Sequence, residues 1–200
     1  MVNWQRQSAL QDFQANEKAA FIQEDGLCLR ELPFSGKLIL QVNGNREAIQ
    51  SAVARAMGQN LPLVPNTSTA SKNSILWMKP SKWMILSEPG AIPQIRQKLE
   101  SVLTGFHFMI SDVSDSRTGI EVSGVHARTL MNRICALDLD VGSFPAGQCA
   151  QTLLVRIPLL LHKLDEKPTF HLYVDRSVAR YAWDWISDAA QEFVNGNNAR

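Results

Sequence analysis

The element order of this chain occurs twice, and that repetition limits the folds open to it. "GKLILQV" (36–42) is a β-rich apolar run closed by the turn signal "NGN". From Arg46 to Met57 the apolar period changes, so that Ile49, Ala52, Val53, Ala56 and Met57 share one helical face. Asn45 is placed to accept from the free N–H groups of the first turn, and Gly58 to close the helix in a left-handed conformation. The Pro-containing loop "NLPLVPNTSTASKN" leads to "SILWM" and "KWMILSE", two short strands joined by "KPS". Ile92, Ile95, Leu99, Val102 and Leu103 mark a second helix, stopped by Gly105.

In the second half "RTGIEVSG" reads as a strand. His126 to Leu137 reads as a helix, with Ala127, Leu130, Met131, Ile134 and Leu137 inward. After the loop "DVGSFPAGQ", "AQTLLVRIPLLLH" and "FHLYV" read as strands separated by the charged turn "KLDEKP". A last helix starts near the N-cap candidate Ser177 and turns Val178, Tyr181, Ala182, Trp185, Ala189 and Phe193 inward. Strand–helix–loop–strand–strand–helix thus spans about 36–104 and again about 118–193. One half alone leaves a sheet face or edge open, so the halves are expected to share one core in mixed or antiparallel sheets. The expected organisation is a single α+β domain over 36–194, an N-terminal arm over 1–35 and a frayed tail over 195–200. The arm is expected as a short helix or an extended segment, on the surface or on a partner.

With 45% hydrophobic residues the chain can bury a core of this size. Lys plus Arg number 20 against 19 Asp plus Glu, with no long block of one sign. That argues against nucleic-acid binding, which needs a phosphate-neutralising surface. Cys28, Cys135 and Cys149 are far apart and lack CxxC spacing, so free thiols in a reducing cytoplasm are expected. "MVNWQRQSALQDF" lacks a secretory h-region, and the longest apolar run, "IPLLL", is too short for a bilayer. A soluble cytoplasmic protein without a membrane partner is the expectation.

"ISDVSDSRTGIEVSG" (110–124) is the stretch that most resembles a site. Asp112 and Asp115 have the chemistry for a hard cation or an acid/base pair. EF-hand spacing is missing, and no His or Glu follows at ligand spacing. A structural turn is the favoured reading, with Asp and Ser side chains holding turn amides and Arg117 pairing with either aspartate. His107 and His126 stand apart, whereas His162 and His171 approach each other if their strands pair as a hairpin; two imidazoles alone are a weak metal signal. The sequence has no GxSxG elbow and no GxGxxG or GxxxxGK[ST] phosphate loop. In "LWMKPSKWMIL" (76–86), Trp77 and Trp83 flank a turn beside Lys79 and Lys82. Core packing, a partner interface and stacking of a flat ligand all remain open for these rings. Trp183, on the flank of the last helix's inner face, is a second candidate interface contact. No residue is assigned to catalysis, to a cofactor or to a metal.

"LRELPFSGKLILQV", "LPLVPNTS", "LWMKPSKWMIL", "SDVSDSRTGIEVSG", "FPAGQCAQTLL" and "FHLYVDRSVARYAWDWI" follow one another in that order. Together they resemble the gamma-subunit family of heterotetrameric sarcosine oxidase, over about Leu29 to Phe193. The resemblance implies a fold similar to the folate-binding domain of the glycine-cleavage T-protein (aminomethyltransferase) and to the N-terminal domain of a tRNA-modifying GTPase, with duplicated ferredoxin-like units. It implies alpha, beta and delta partner subunits. It also implies a complex that oxidatively demethylates sarcosine to glycine and hydrogen peroxide, with formaldehyde or 5,10-methylene-tetrahydrofolate as the one-carbon product. FAD, FMN, NAD, zinc and tetrahydrofolate belong to that complex, and the resemblance places the bound cofactors on the other subunits. This chain is then a non-catalytic assembly component. The alternative is a free-standing folate-binding, aminomethyltransferase-like protein of one-carbon metabolism.

Overall fold

The structure is a computed structural model that describes residues 7–10, 21–24 and 26–195 of the 200. Its strands are β1 (Phe21–Glu24), β2 (Leu27–Glu31), β3 (Gly36–Asn43), β4 (Ser68–Ala70), β5 (Ser74–Lys79), β6 (Lys82–Ser87), β7 (His107–Asp112), β8 (Arg117–Ser123), β9 (Cys149–Leu154), β10 (Ile157–Lys163) and β11 (Thr169–Asp175). The helices are α1 (Arg46–Met57), α2 (Ile92–Val102), α3 (Ala127–Ile134) and α4 (Ala179–Asn195), the last preceded by a 3-10 turn over Arg176–Val178. One sheet has the order β4-β5-β6-β3-β7, the other β1-β2-β8-β11-β10-β9. Every ladder within them is antiparallel.

Strand alternation divides the apolar side chains between two faces of each sheet. Leu38, Leu40, Ile75 and Ile85 pack against Ile49 and Val53 of α1 and Ile92 and Leu99 of α2. Ile120, Val122, Leu159, Leu161 and Leu172 pack against Leu130 and Met131 of α3 and Trp183 and Ile186 of α4. Between the sheets lie Ile39, Leu76, Met84, Leu160 and Tyr173. The layers therefore run helix, sheet, sheet, helix, and the expected single core is three clusters, of which the middle one is shared. The reason is geometric: a sheet with two apolar faces separates what it packs against.

The caps of α1 form as the sequence indicates. Asn45 accepts from the Ala48 amide at 3.0 Å, and Gly58, with φ 68°, donates to Ala54 O at 2.8 Å. Other boundaries differ. Residues 21–24 and 27–31, assigned above to an arm, are strands of the second sheet; β2 pairs with β8, and Leu27 and Leu29 are fully in the core. The remainder of the expected arm and residues 196–200 of the expected tail lie largely outside the described residues. Asn195 closes α4. α3 stops at Ile134, because Cys135 is extended and bridges to Leu154.

The run "AQTLLVRIPLLLH" is a hairpin, β9 and β10, in which Leu154 pairs directly with Ile157. Its turn puts Val155 at φ 55°, a conformation β-branched residues avoid, which is why no turn signal is visible there. The Val155 amide is held by Ile134 O at 2.8 Å, at the end of α3.

Candidate functional site

The segment between β7 and β8 carries the chain from one sheet to the other. Asp112 Oδ1 accepts from the Ser114 amide at 2.9 Å and from Ser114 Oγ at 2.5 Å. Ser114 Oγ in turn accepts from the Lys37 amide at 2.9 Å, and the Val113 amide donates to Lys37 O at 2.9 Å. This side chain–backbone arrangement fixes a turn. Arg117 was expected to pair with Asp112 or Asp115. It contacts Asp175 instead, Nε to Oδ1 at 3.3 Å, because β8 pairs with β11 and places residues 117 and 175 opposite each other. Asp115 is exposed in the same turn.

The tryptophans separate by depth. Trp77 and Trp83 are cross-strand partners. Trp83 is 5% exposed and its Nε1 donates to Pro62 O at 2.8 Å, so its polar edge is consumed inside. Trp77 is half-buried, packed against the shared cluster and the α1/α2 cluster. Lys79 is exposed and Lys82 half-buried on either side of the turn.

Trp183, read above as an interface candidate, is 2% exposed in the α3/α4 core. Tyr181 and Trp185, read as inward, are 50% and 38% exposed. Small residues explain the rotation: Ala179, Ala182 and Ala190 lie against the sheet and let α4 approach closely, leaving depth for Trp183 and Ile186. Trp83 and Trp183, expected as candidate partner contacts, thus present almost no surface to a partner. The exposed aromatic pair on α4 is Tyr181 and Trp185.

A polar constellation occupies one end of the second sheet. Glu121 accepts from Arg30 Nε at 3.0 Å and Nη2 at 2.7 Å, a bidentate pair, and from Ser123 Oγ at 3.1 Å. His171 Nε2 lies 3.2 Å from Glu121 Oε2. Burial opposes ionisation of Glu121, but the bonds from Arg30, Ser123 and His171 outweigh it and hold its carboxyl below the ordinary range. Burial likewise dominates at His171, whose imidazole is pushed below its ordinary value despite Glu121.

His162 and His171 are direct cross-strand partners, as a hairpin requires, with ring centroids 6.5 Å apart. Burial, with a smaller effect of His171, lowers the His162 pKa to about 4. Its Nε2 is 2.9 Å from Ser68 Oγ, and that hydroxyl donates to Gly147 O at 2.9 Å. The assignment that follows is a neutral imidazole protonated on Nε2. Cys149, opposite His162, has its thiol pushed up to about 12 by burial.

Among the described residues, no group of three or more His, Cys, Asp or Glu is gathered closely enough to hold a metal ion. The imidazole pair thus does not match a zinc ligand set. Nor, among the described residues, is any helix long and apolar enough to cross a membrane. The Arg30–Glu121–His171 grouping was not legible in the sequence. Its members lie on three strands, and only the register of β2, β8 and β11 joins them.

A family model for the gamma subunit of sarcosine oxidase matches residues 42–192. The chain is 24% identical over 170 residues to sarcosine oxidase subunit gamma of Corynebacterium sp. strain P-1, covering 84% of this chain and 81% of that one. With the subunit of the same name from Arthrobacter sp. it is 26% identical over 170 residues, again 84% and 81% of the two chains. Among solved structures it is similar to a chain of the heterotetrameric sarcosine oxidase from Corynebacterium sp. U-96 in complex with pyrrole 2-carboxylate, with TM-score 0.84, 24% identity and coverage of 94% and 96%. It also resembles the glycine cleavage system aminomethyltransferase T from Bartonella henselae, with TM-score 0.63, 12% identity and coverage of 89% of this chain and 56% of that one. These two likenesses show the fold: mixed α and β, with antiparallel sheets. By the extent of the family match, this chain belongs to the sarcosine oxidase gamma subunit family.

Proposed function

We propose that this chain is the gamma subunit of a heterotetrameric sarcosine oxidase, assembled with alpha, beta and delta subunits. The observation that carries this reading is the family match over residues 42–192. The complex would demethylate sarcosine oxidatively to glycine and hydrogen peroxide, releasing formaldehyde or forming 5,10-methylene-tetrahydrofolate. FAD, FMN, NAD, zinc and tetrahydrofolate would act on the other subunits, with this chain as an assembly component. The likeness to aminomethyltransferase T spans only 56% of that protein, so it supports the fold rather than a free-standing folate-dependent activity.

We further infer an internal duplication of ferredoxin-like units. Supporting this, β5-β6-β3-β7 in one sheet and β10-β11-β8-β2 in the other follow the same pattern, with flanking β4 and β9 in equivalent places. The last position of the second unit is filled by β2, from the start of the chain. The domain then begins near Phe21 rather than at 36.

For partner contacts we propose two patches, Tyr181 and Trp185 on α4 and Trp77, Lys79 and Lys82 on the β5–β6 hairpin. Aromatic side chains give large, rigid contact area at interfaces. Co-expression with the three other subunits followed by size-exclusion chromatography tests the assignment. Co-elution of all four chains with sarcosine oxidase activity is expected. A monomeric chain beside a fully active complex of the other three would overturn it.

A further inference from the structure

A cavity of about 510 Å³ opens beside the β7–β8 crossover, at the ends of β2 and β8. Adjacent strand residues point to opposite sides, so Glu31, which lines it, faces away from the Arg30–Glu121 grouping. The volume falls in the range of small-molecule sites. Leu32, Phe34 and Pro89 give it apolar wall, and among the described lining residues Lys37, Arg117 and Arg176 bring three cations against one carboxylate, Glu31.

The cations are held from behind. Lys37 is 2% exposed; its Nζ donates to Ser35 O at 3.0 Å and lies 5.2 Å from the centre of the Phe34 ring. Arg117 contacts Asp175 through Nε, and Arg176 donates through Nη2 to Gln7 O at 2.7 Å. A guanidinium has five N–H donors, so these contacts position both forks and leave donors for another acceptor. Burial pushes the Glu31 carboxyl above its ordinary value, against smaller opposing effects of Ser8, Arg176 and Lys37.

We propose that this cavity binds a small organic carboxylate, with Arg117 and Arg176 clasping the carboxylate and Leu32, Phe34 and Pro89 covering the hydrocarbon part. Planar guanidinium forks match a planar carboxylate in two-bond geometry, and an enclosed ammonium supplies the countercharge. The lining comes from this chain's own residues, so binding to the isolated chain is tested apart from the proposed function.

The experiment is calorimetry and saturation-transfer NMR on the full chain with succinate and phenylacetate, using succinamide and inorganic phosphate as comparators. One-site binding of at least one carboxylate with a dissociation constant below about 1 mM is expected, weakened by salt. Succinamide should not bind. Arg176→Gln and Arg117→Gln should each weaken binding about tenfold or more, Arg176→Gln at unchanged melting temperature, since each removes a charge-assisted contact. Arg55→Gln, on the exposed side of α1, should leave it unchanged. Arg176 is exposed, so its variant should fold even if Arg117→Gln does not. The proposal is overturned if neither carboxylate saturates by about 10 mM, if phosphate or succinamide binds as tightly, or if folded Arg176→Gln keeps full affinity.

Discussion

Tyr181 and Trp185 stand one turn apart on the outside of α4, ring centroids 6.2 Å apart and planes at 85°, while Trp183 between them in sequence is buried. An edge-to-face pair is pre-organised, so little side-chain freedom remains to be lost when a partner covers it. Trp185→Ala should weaken assembly with the partner subunits by at least about 2 kcal/mol, the range of an interface anchor. The chain's own melting temperature should move by no more than about 2 °C. Analytical ultracentrifugation of the co-expressed subunits measures the first, and calorimetry of the chain the second. Undiminished assembly would remove α4 from the interface.

Trp183→Ala should do the reverse. It empties a site in the α3/α4 core at a cost of about 3–5 kcal/mol, visible as a lower urea midpoint. If the midpoint stays put, Trp183 is not the packing element described above.

Trp83→Phe keeps most of the ring volume but leaves Pro62 O without its indole donor. A buried acceptor left unpaired costs about 1–3 kcal/mol, and denaturant unfolding of the variant should show a loss of that order.

Stability should rise with pH through the mildly acidic range. His162 titrates near 4 in the folded chain and near 6.5 when unfolded, so between those values the unfolded chain binds the extra proton. The contribution is complete above about 6.5 and is lost as pH falls towards about 4, on the order of 3 kcal/mol in total. His171 is shifted the same way and adds to it. Glu121, with its carboxyl lowered, adds stability that disappears as pH drops below its ordinary range, whereas Glu31 is shifted oppositely and loses stability as pH rises through that range. Unfolding free energies of the parent and His162→Gln between about pH 4 and 7 isolate the first effect. The variant should show a shallower slope; parallel curves would refute the assignment.

Gly124→Ala should be poorly tolerated. Gly124 has φ 109°, and a Cβ there would lie 2.2 Å from Gly26 O, a backbone atom that also accepts from the His126 amide at 3.0 Å. Strain and displacement together should cost at least about 2 kcal/mol in thermal or denaturant unfolding.

What the sequence revealed depended on how local the determining physics was. Asn45 and Gly58 cap α1 through contacts a few residues away, and both were readable. So was the approach of His162 to His171, which a short hairpin enforces. The turn at Val155 was not, because its conformation is stabilised from outside by Ile134 O. α4 misled for another reason: it carries two aromatic-bearing stripes, and the small alanines, not the largest rings, decide which one meets the sheet. The Arg30–Glu121 pair and the Arg117–Asp175 contact needed strand register, which no local pattern encodes.

The place of β2 beside β8 has a consequence for synthesis. During translation β2 emerges ahead of the whole first sheet, yet its partner β8 is made only after that sheet. Until then its apolar Leu27 and Leu29 have no sheet to join, and closing that loop carries an entropic cost that sequential strands avoid. A circular permutant that moves residues 21–31 behind α4 would let each sheet complete itself in the order of synthesis. It should refold faster than the parent, with the same final architecture.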